Sequence, residues 1–245
     1  LTDQIFVPHT AMVLGAGLGK RMRPVTDTMP KPLVPVAGKP LIDWGLDSLA
    51  AAGVAKAVVN VHYLADQLEA HLAQRANPSI EISDERDELL ESGGGIIKAL
   101  PLLGNDPFYL VNSDTFWLDD SGPNLLRLAK AFDPSRMDIL LMLAAHDQAT
   151  GHGDKSDFTI DRDGKIARFA EGAGTGYIYA GVGILHPRIF DGADTDAHSL
   201  NREFNAAIAA GRLFGMPMRG QWLTVGTPDA IAPAEAVVAR HSVPA

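Results

Sequence analysis

Runs of strand length that are apolar at nearly every position, separated by segments of helical spacing, constrain this chain more than any other feature. Ala11 to Leu14, Val54 to Val61, Phe108 to Val111 and Ile139 to Ala145 are such runs. A strand with one wet face alternates polar and apolar side chains, so a uniformly apolar strand must be covered on both faces. The cover is written between the runs. Leu41 to Ala52 places apolar residues at helical spacing and meets Gly53, a C-terminal stop. Leu64, Leu68 and Leu72 recur on one face of a second helix, and Gly93 to Leu103 and Leu125 to Phe132 read as two more. Ile80 to Ile82 adds a short strand. Strand and helix in alternation predict an α/β chain with a mostly parallel sheet between helices. In such sheets the binding loops gather at the carboxyl ends of the strands. Three polar segments fall there: the glycines after Leu14, Asn60-Val61-His62, and Asn112-Ser113-Asp114.

The second half changes style. Phe158 to Ile160 and Ile166 to Phe169 flank Asp161-Arg162-Asp163-Gly164, which predicts a hairpin. Tyr177 to Leu185 is a long strand pattern, and a helix follows near Leu200 to Ala210. Thr227-Pro228 reads as a threonine cap followed by proline in the first helical position. No linker or internal repeat interrupts the chain. The expectation is therefore a short tail over residues 1–9 and one domain over 10–240. Its two functional halves would span about 10–115 and about 116–240.

Composition removes several function classes. The 245 residues contain no cysteine, which excludes disulfides, thiolate metal sites and cysteine nucleophiles. The net charge of −9 argues against a nucleic-acid partner, which calls for a basic surface. No apolar run approaches the roughly 18 residues of a membrane span, and the first ten positions lack the basic start of a signal peptide. The eight histidines form no H-x-x-x-H pair, and Trp44 and Trp222 read as core.

Charge is nevertheless concentrated. Lys20, Arg21, Arg23, Lys31 and Lys39 face a single acid, Asp27, over twenty positions, in line with an anionic ligand. The island begins in Leu14-Gly15-Ala16-Gly17-Leu18-Gly19-Lys20-Arg21. As a dinucleotide fingerprint this loop misplaces its third glycine, and as a P-loop it fails at both ends, with Leu14 and Arg21 in place of glycine and serine or threonine. It keeps the physics of phosphate binding, because glycines let backbone N–H groups approach an anion and the adjacent cations supply charge. A tight turn without a ligand would use the same glycines.

A longer pattern decides between these readings. Leu14-x-Ala16-Gly17-x-Gly19-x-Arg21-Met22-x-Pro24-x-Thr26, then Pro30-Lys31-Pro32-Leu33-Val34-Pro35-Val36, resembles the signature of the sugar-1-phosphate nucleotidyltransferases. Glu91-Ser92-Gly93-Gly94-Gly95, Val111-Asn112-Ser113-Asp114 and Trp222-Leu223-Thr224-Val225-Gly226-Thr227 match later motifs of that family in order. The length and the E-S-G-G-G form are most similar to its bacterial N-acetylmuramate 1-phosphate uridylyltransferases. The resemblance implies a Rossmann-like mixed sheet of the nucleotide-diphospho-sugar transferase type, with no β-helix domain, and makes about 10–115 the nucleotide-binding half and about 116–240 the sugar-binding half. Two positions depart from the pattern. Ser113 stands where the family has glycine, and Thr224 stands where it has the second metal carboxylate.

The resemblance implies transfer of a nucleoside monophosphate, UMP from UTP, to a sugar 1-phosphate with release of pyrophosphate. The sugar would be N-acetylmuramate 1-phosphate, in cytoplasmic recycling of peptidoglycan sugars. A hexose-1-phosphate guanylyltransferase and a nucleotide-sugar-binding regulator without catalysis are the alternatives. Arg21, Lys31 and Asp114 would be catalytic, with Mg²⁺ as cofactor on Asp114 and at the position of Thr224. Leu14, Gly15, Ala16, Gly17, Gly19, Lys20, Arg21, Lys31, Ser92, Gly93, Gly94 and Asn112 would bind the nucleotide, and Asp157 and Glu171 the sugar. A lactyl carboxylate on that sugar would need a cation or donor. The candidates are Lys155, Arg162, Lys165, Arg168, Arg188, Arg202, Arg212 and Arg219, with His152, and the sequence does not choose among them.

Overall fold

The computed structural model describes residues 6–172 and 174–241. Its first half runs β1 (Thr10–Leu14), the small hairpin β2 (Pro35–Val36) and β3 (Lys39–Pro40), α1 (Leu41–Ala51), β4 (Lys56–Val61), α2 (Ala65–Leu72), β5 (Ser79–Asp84), α3 (Glu91–Leu103) and β6 (Phe108–Asn112). The second half continues with β7 (Thr115–Asp119), α4 (Asn124–Ala131), β8 (Ile139–Ala144), β9 (Ala149–Thr150), β10 (Phe158–Ile160), β11 (Ile166–Arg168), β12 (Ile178–Leu185), α5 (Asn201–Ala209), β13 (Leu213–Pro217), β14 (Gly220–Thr224) and α6 (Ile231–His241).

Seven strands form one sheet in the order β13-β8-β12-β6-β1-β4-β5. All neighbouring pairs are parallel except those of β12, which runs antiparallel to both β6 and β8. The sheet is therefore mixed and mostly parallel, as its apolar strands predict. One face is covered by α1, α2 and α4 through Leu46, Leu68 and Leu128, and the other by α3 and α5 through Ile96 and Phe204. At α1 the predicted stop is present. Gly53 adopts φ 87, and the N–H groups of Gly53 and Val54 close on the carbonyls of Ala50 and Leu49. The hairpin of β10 and β11 also forms, with Gly164 at φ 83.

Three features differ from the sequence reading. A second sheet of three strands, β7-β14-β9, stands beside the first. Its core joins Phe116 and Leu223 to Ala234 and Val237 of α6. The strand β13 also went unread. Finally, Thr227 makes no side-chain cap, and Pro228 opens a separate 3-10 turn, Pro228–Ala230, before α6.

The two sheets meet at an irregularity in β12. Its register on β8 shifts between Tyr179 and Gly183, with Gly181 at φ 73. Such a bulge leaves ladder groups unpaired and re-aims side chains. The Ala180 carbonyl is satisfied from the second sheet instead, accepting from Trp222 Nε1 at 2.9 Å and Thr115 Oγ1 at 3.2 Å. A side chain at 181 would strike Thr115 Oγ1 at 2.7 Å. The bulge thus locks the small sheet to the large one and sets the backbone of Tyr179.

Candidate active site

Where β1, β4 and β6 end, the structure opens a cleft of about 350 Å³. Its walls are the loop Leu14 to Gly17, Lys31, Asn60, Ser92, Asn112 to Asp114, Tyr179, and Ser199 to Asn201 with Phe204. All three polar strand ends of the sequence reading converge here.

Buried polar groups fix the glycine loop. Gly15 N–H donates to Asn60 Oδ1 at 2.8 Å, and Asn60 Nδ2 donates to Glu85 Oε1 at 2.7 Å. The other carboxylate oxygen of Glu85 accepts from Leu90 N–H at 3.1 Å. Asn60 and Glu85 are both buried, and a side chain at position 95 would lie 2.6 Å from Glu85 Oε1. Each atom of this relay has one possible role, so the Asn60 amide cannot flip without losing both bonds. At the far end of the loop, Gly19 takes φ 61 and its carbonyl accepts from Thr26 Oγ1 at 2.8 Å. Between these anchors nothing lies within 4 Å of the space a side chain on Gly17 would fill, so the backbone there is open to a ligand.

Lys31 reaches the cleft from a 3-10 turn, Lys31–Leu33, and its Nζ lies 2.6 Å from Asp114 Oδ2. Both side chains are largely covered, and the pair sets a cation and an acid side by side on the cleft wall. Ser113, in the glycine position of the resemblance, donates its hydroxyl to the Leu14 carbonyl at 2.5 Å and ties the end of β6 to that of β1.

The remaining expected site residues lie around this centre. Lys20 and Arg21 are exposed on the 3-10 turn Lys20–Met22 and do not line the cleft. The Arg21 guanidinium lies against Gly226, within 3.7 Å of the space a side chain there would fill, so the last motif backs this arginine. Thr224 pairs with Thr115, and Val225 N–H donates to the Asp114 carbonyl at 3.1 Å. Thr224 is thus a backbone neighbour of Asp114 but not a wall of the cleft. Gly93 and Gly94 do not line it either. Both N–H groups go to the His198 carbonyl, at 2.8 and 3.4 Å, and side chains there would strike the His198 ring and the Asp196 carbonyl. These glycines let the segment Asp196 to Leu200 pack on the start of α3. Ser92 Oγ accepts from Leu200 N–H at 2.9 Å, which leaves the Ser92 hydroxyl proton for another partner. Asp157 Oδ2 accepts from Tyr179 N–H at 2.8 Å, and Glu171 is exposed in the turn after β11.

Sequence reasoning missed Glu85, Tyr179 and the wall Ser199 to Asn201. Tyr179 lines the cleft, yet its hydroxyl has no hydrogen-bond partner among the described residues. Burial first, and the Asp157 and Asp114 carboxylates after it, raise its pKa above the ordinary value, which keeps it a neutral donor. Among the described residues no group of three or more His, Asp or Glu side chains could hold a metal alone. Asp114 keeps one carboxylate oxygen outside the Lys31 pair. Magnesium binds through one or two carboxylates completed by water and substrate phosphates, so this donor set fits Mg²⁺ shared with a nucleotide.

The profile of the nucleotidyl transferase family matches residues 10–241. The chain belongs to this family. An N-acetylmuramate alpha-1-phosphate uridylyltransferase of Caulobacter vibrioides is 45% identical over 95% of the chain and 98% of its own length. The enzyme of the same name from Neisseria meningitidis is 37% identical, covering 93% and 97%. Among solved structures, the inositol-1-phosphate CTP transferase of T. maritima superposes with a TM-score of 0.78 at 19% identity, over 98% of this chain and 99% of that one. That likeness concerns the fold of this nucleotidyl transferase. No helix among its described residues is long and apolar enough to cross a membrane.

Proposed function

We propose that this nucleotidyl transferase moves UMP from UTP to N-acetylmuramate 1-phosphate and releases pyrophosphate, in cytoplasmic recycling of peptidoglycan sugars. The observation that carries the reaction class is the Lys31–Asp114 pair at 2.6 Å in the cleft of the glycine loop. The identity of 45% and 37% to two uridylyltransferases supports the choice of sugar and base.

The chemistry asks little of the protein beyond placement and charge. A sugar phosphate oxygen is already anionic near neutral pH, since the second phosphate pKa is about 6, so no general base is needed. The task is to bring two anions together and align the attacking and leaving oxygens. Backbone N–H groups from Ala16 to Gly19 cradle the triphosphate, while Gly15 N–H serves the loop itself. Lys31 lies between the α-phosphate and the sugar phosphate. Arg21 and Lys20, exposed beside the loop, take the charge of the departing pyrophosphate. Asp114 holds Mg²⁺, which when bound neutralises phosphate oxygens and orients them; Thr224 would assist through water. Ser92 offers its free hydroxyl to the base, and Gly93 and Gly94 support that wall. Asn112 faces the ribose, and Asp157, Glu171 and Tyr179 form the sugar end.

Pyrophosphate release tests this reading. UTP, GTP, dTTP and CTP are each offered with the 1-phosphates of N-acetylmuramate, N-acetylglucosamine, glucose and mannose. The highest kcat/KM is expected for UTP with N-acetylmuramate 1-phosphate. A preference for GTP with mannose 1-phosphate would overturn the named substrates and leave the family assignment untouched.

A further inference from the structure

The reading above calls for a sugar that carries a carboxylate, and the second half offers many cations. Their partners separate them. Arg188 and Arg212 both pair with Asp138, at 2.6 and 2.9 Å. Arg202 is held by Glu203 and Asp196, at 3.1 and 3.3 Å. Arg219 reaches Ser121, away from the cleft. Lys155, Arg162 and Lys165 are exposed, as Arg168 is, but among the described residues none of the three bonds a side chain of the cleft wall.

Arg168 is different. Its Nη2 donates to Asn201 Oδ1 at 2.7 Å, and Asn201 lines the cleft. Its Nε donates to Asn205 Oδ1 at 3.0 Å, one turn further along α5. The guanidinium carbon stands 4.8 Å over the Phe158 ring. Phe158 meets Phe204 edge-on, and Phe204 meets Tyr179 edge-on, so one aromatic floor runs from Arg168 to the unpartnered Tyr179 hydroxyl. Both acceptors on Arg168 are neutral amide oxygens, and among the described residues no carboxylate ion-pairs with it, the Asp157 carboxylate acting on its charge only from beyond ion-pair distance. A guanidinium has five N–H donors, and two are used, both on its Nε and Nη2 edge. The Nη1 hydrogens and the second Nη2 hydrogen remain. A carboxylate fits such a planar fork with two parallel bonds, which an ammonium cannot copy. Because the side chain is already fixed by two amides and a ring, binding costs little ordering.

We propose that Arg168 is the specificity-determining residue for the sugar, and that it takes the carboxylate of an acidic sugar 1-phosphate at the Asn201 edge of the cleft. This deepens the proposed function and rests on it. The substrate class follows from the chemistry: a sugar 1-phosphate with a free carboxylate on a flexible arm is preferred over the same sugar without it.

The test compares kcat/KM for N-acetylmuramate 1-phosphate and N-acetylglucosamine 1-phosphate, with saturating UTP and Mg²⁺. The two sugars differ by the lactyl carboxylate arm. The wild-type enzyme, Arg168→Gln and Arg168→Lys are measured, with thermal melting of each to monitor folding. In Arg168→Gln the ratio of the two kcat/KM values is expected to fall by about ten- to a hundredfold, chiefly through KM for the acidic sugar. Arg168→Lys is expected to keep part of the ratio, because it keeps the charge and loses the fork. Equal losses on both sugars would make Arg168 a support of α5 only and overturn the proposal. A wild-type preference left intact in Arg168→Gln overturns the role of Arg168 alone. No preference in the wild type overturns the named sugar and the role of Arg168 together.

Discussion

At the scale of single residues, the proposed centre of this enzyme is one acid and one lysine. One Asp114 oxygen holds Lys31 at 2.6 Å, and the proposed function gives the other to Mg²⁺. Asp114→Asn keeps the size of the side chain and removes its charge. Its kcat is expected to fall about a hundredfold or more, comparable to losing a preorganised electrostatic contact, with an unchanged far-UV spectrum. EDTA is expected to abolish wild-type turnover, and excess Mg²⁺ to restore it. Turnover that survives chelation would remove the metal from the reaction. The family motifs that carry them, Pro30-Lys31-Pro32 and Asn112-Ser113-Asp114, singled out Lys31 and Asp114 in the sequence, and the structure sets both on one cleft. Glu85 and Tyr179 were not legible in the sequence. Glu85 looks like one more acid in Asp84-Glu85-Arg86-Asp87-Glu88, and only the fold shows it buried against Asn60. Tyr179 looks like any aromatic in a strand, and its position depends on a bulge that no local pattern announces.

Elements explain what single residues cannot. Gly93 and Gly94 at the start of α3 read as nucleotide-binding positions, and the structure shows them in a packing task. They admit the segment Asp196 to Leu200, whose Leu200 then forms part of the cleft wall. A side chain at 94 would stand 2.6 Å from the Asp196 carbonyl, which is backbone and cannot rotate away. Gly94→Ala is therefore expected to cost about 1–3 kcal/mol of stability and to raise KM for both substrates more than it lowers kcat. Differential scanning calorimetry and initial rates would check this; a variant with unchanged melting and KM would show that the segment yields freely. The long strands and helices of the first half were legible because hydrophobic period alone defines them, whereas the two-residue strands β2 and β3 are too short to show one. The three-stranded sheet was not legible. Only two residues separate β6 from β7, so Phe108 to Asp119 reads as one strand and a loop. Its pairing with β14 spans about a hundred positions, which no local window contains.

For the whole molecule, the boundary proposed near residue 115 between nucleotide and sugar halves does not divide the fold, since the sheet crosses it. Strand β12, from the second half, lies between β6 of the first half and β8 of the second. Each half taken alone would leave an inner strand bare. Urea unfolding is accordingly expected to be a single transition, coincident by circular dichroism and by the fluorescence of Trp44, Trp117 and Trp222, which sample both halves. Two separated transitions would make the halves independent units. The same strand order bears on synthesis. When the ribosome has delivered residues up to Asn112, β1, β4, β5 and β6 can already pair, but the strand that covers the outer edge of β6 comes some seventy positions later. Until then Phe108 to Val111 offers an uncapped apolar edge, the kind of template on which nascent chains aggregate. Translation speed between Asn112 and Leu185 then becomes a determinant of yield, and a holdase chaperone that shields this edge would raise it.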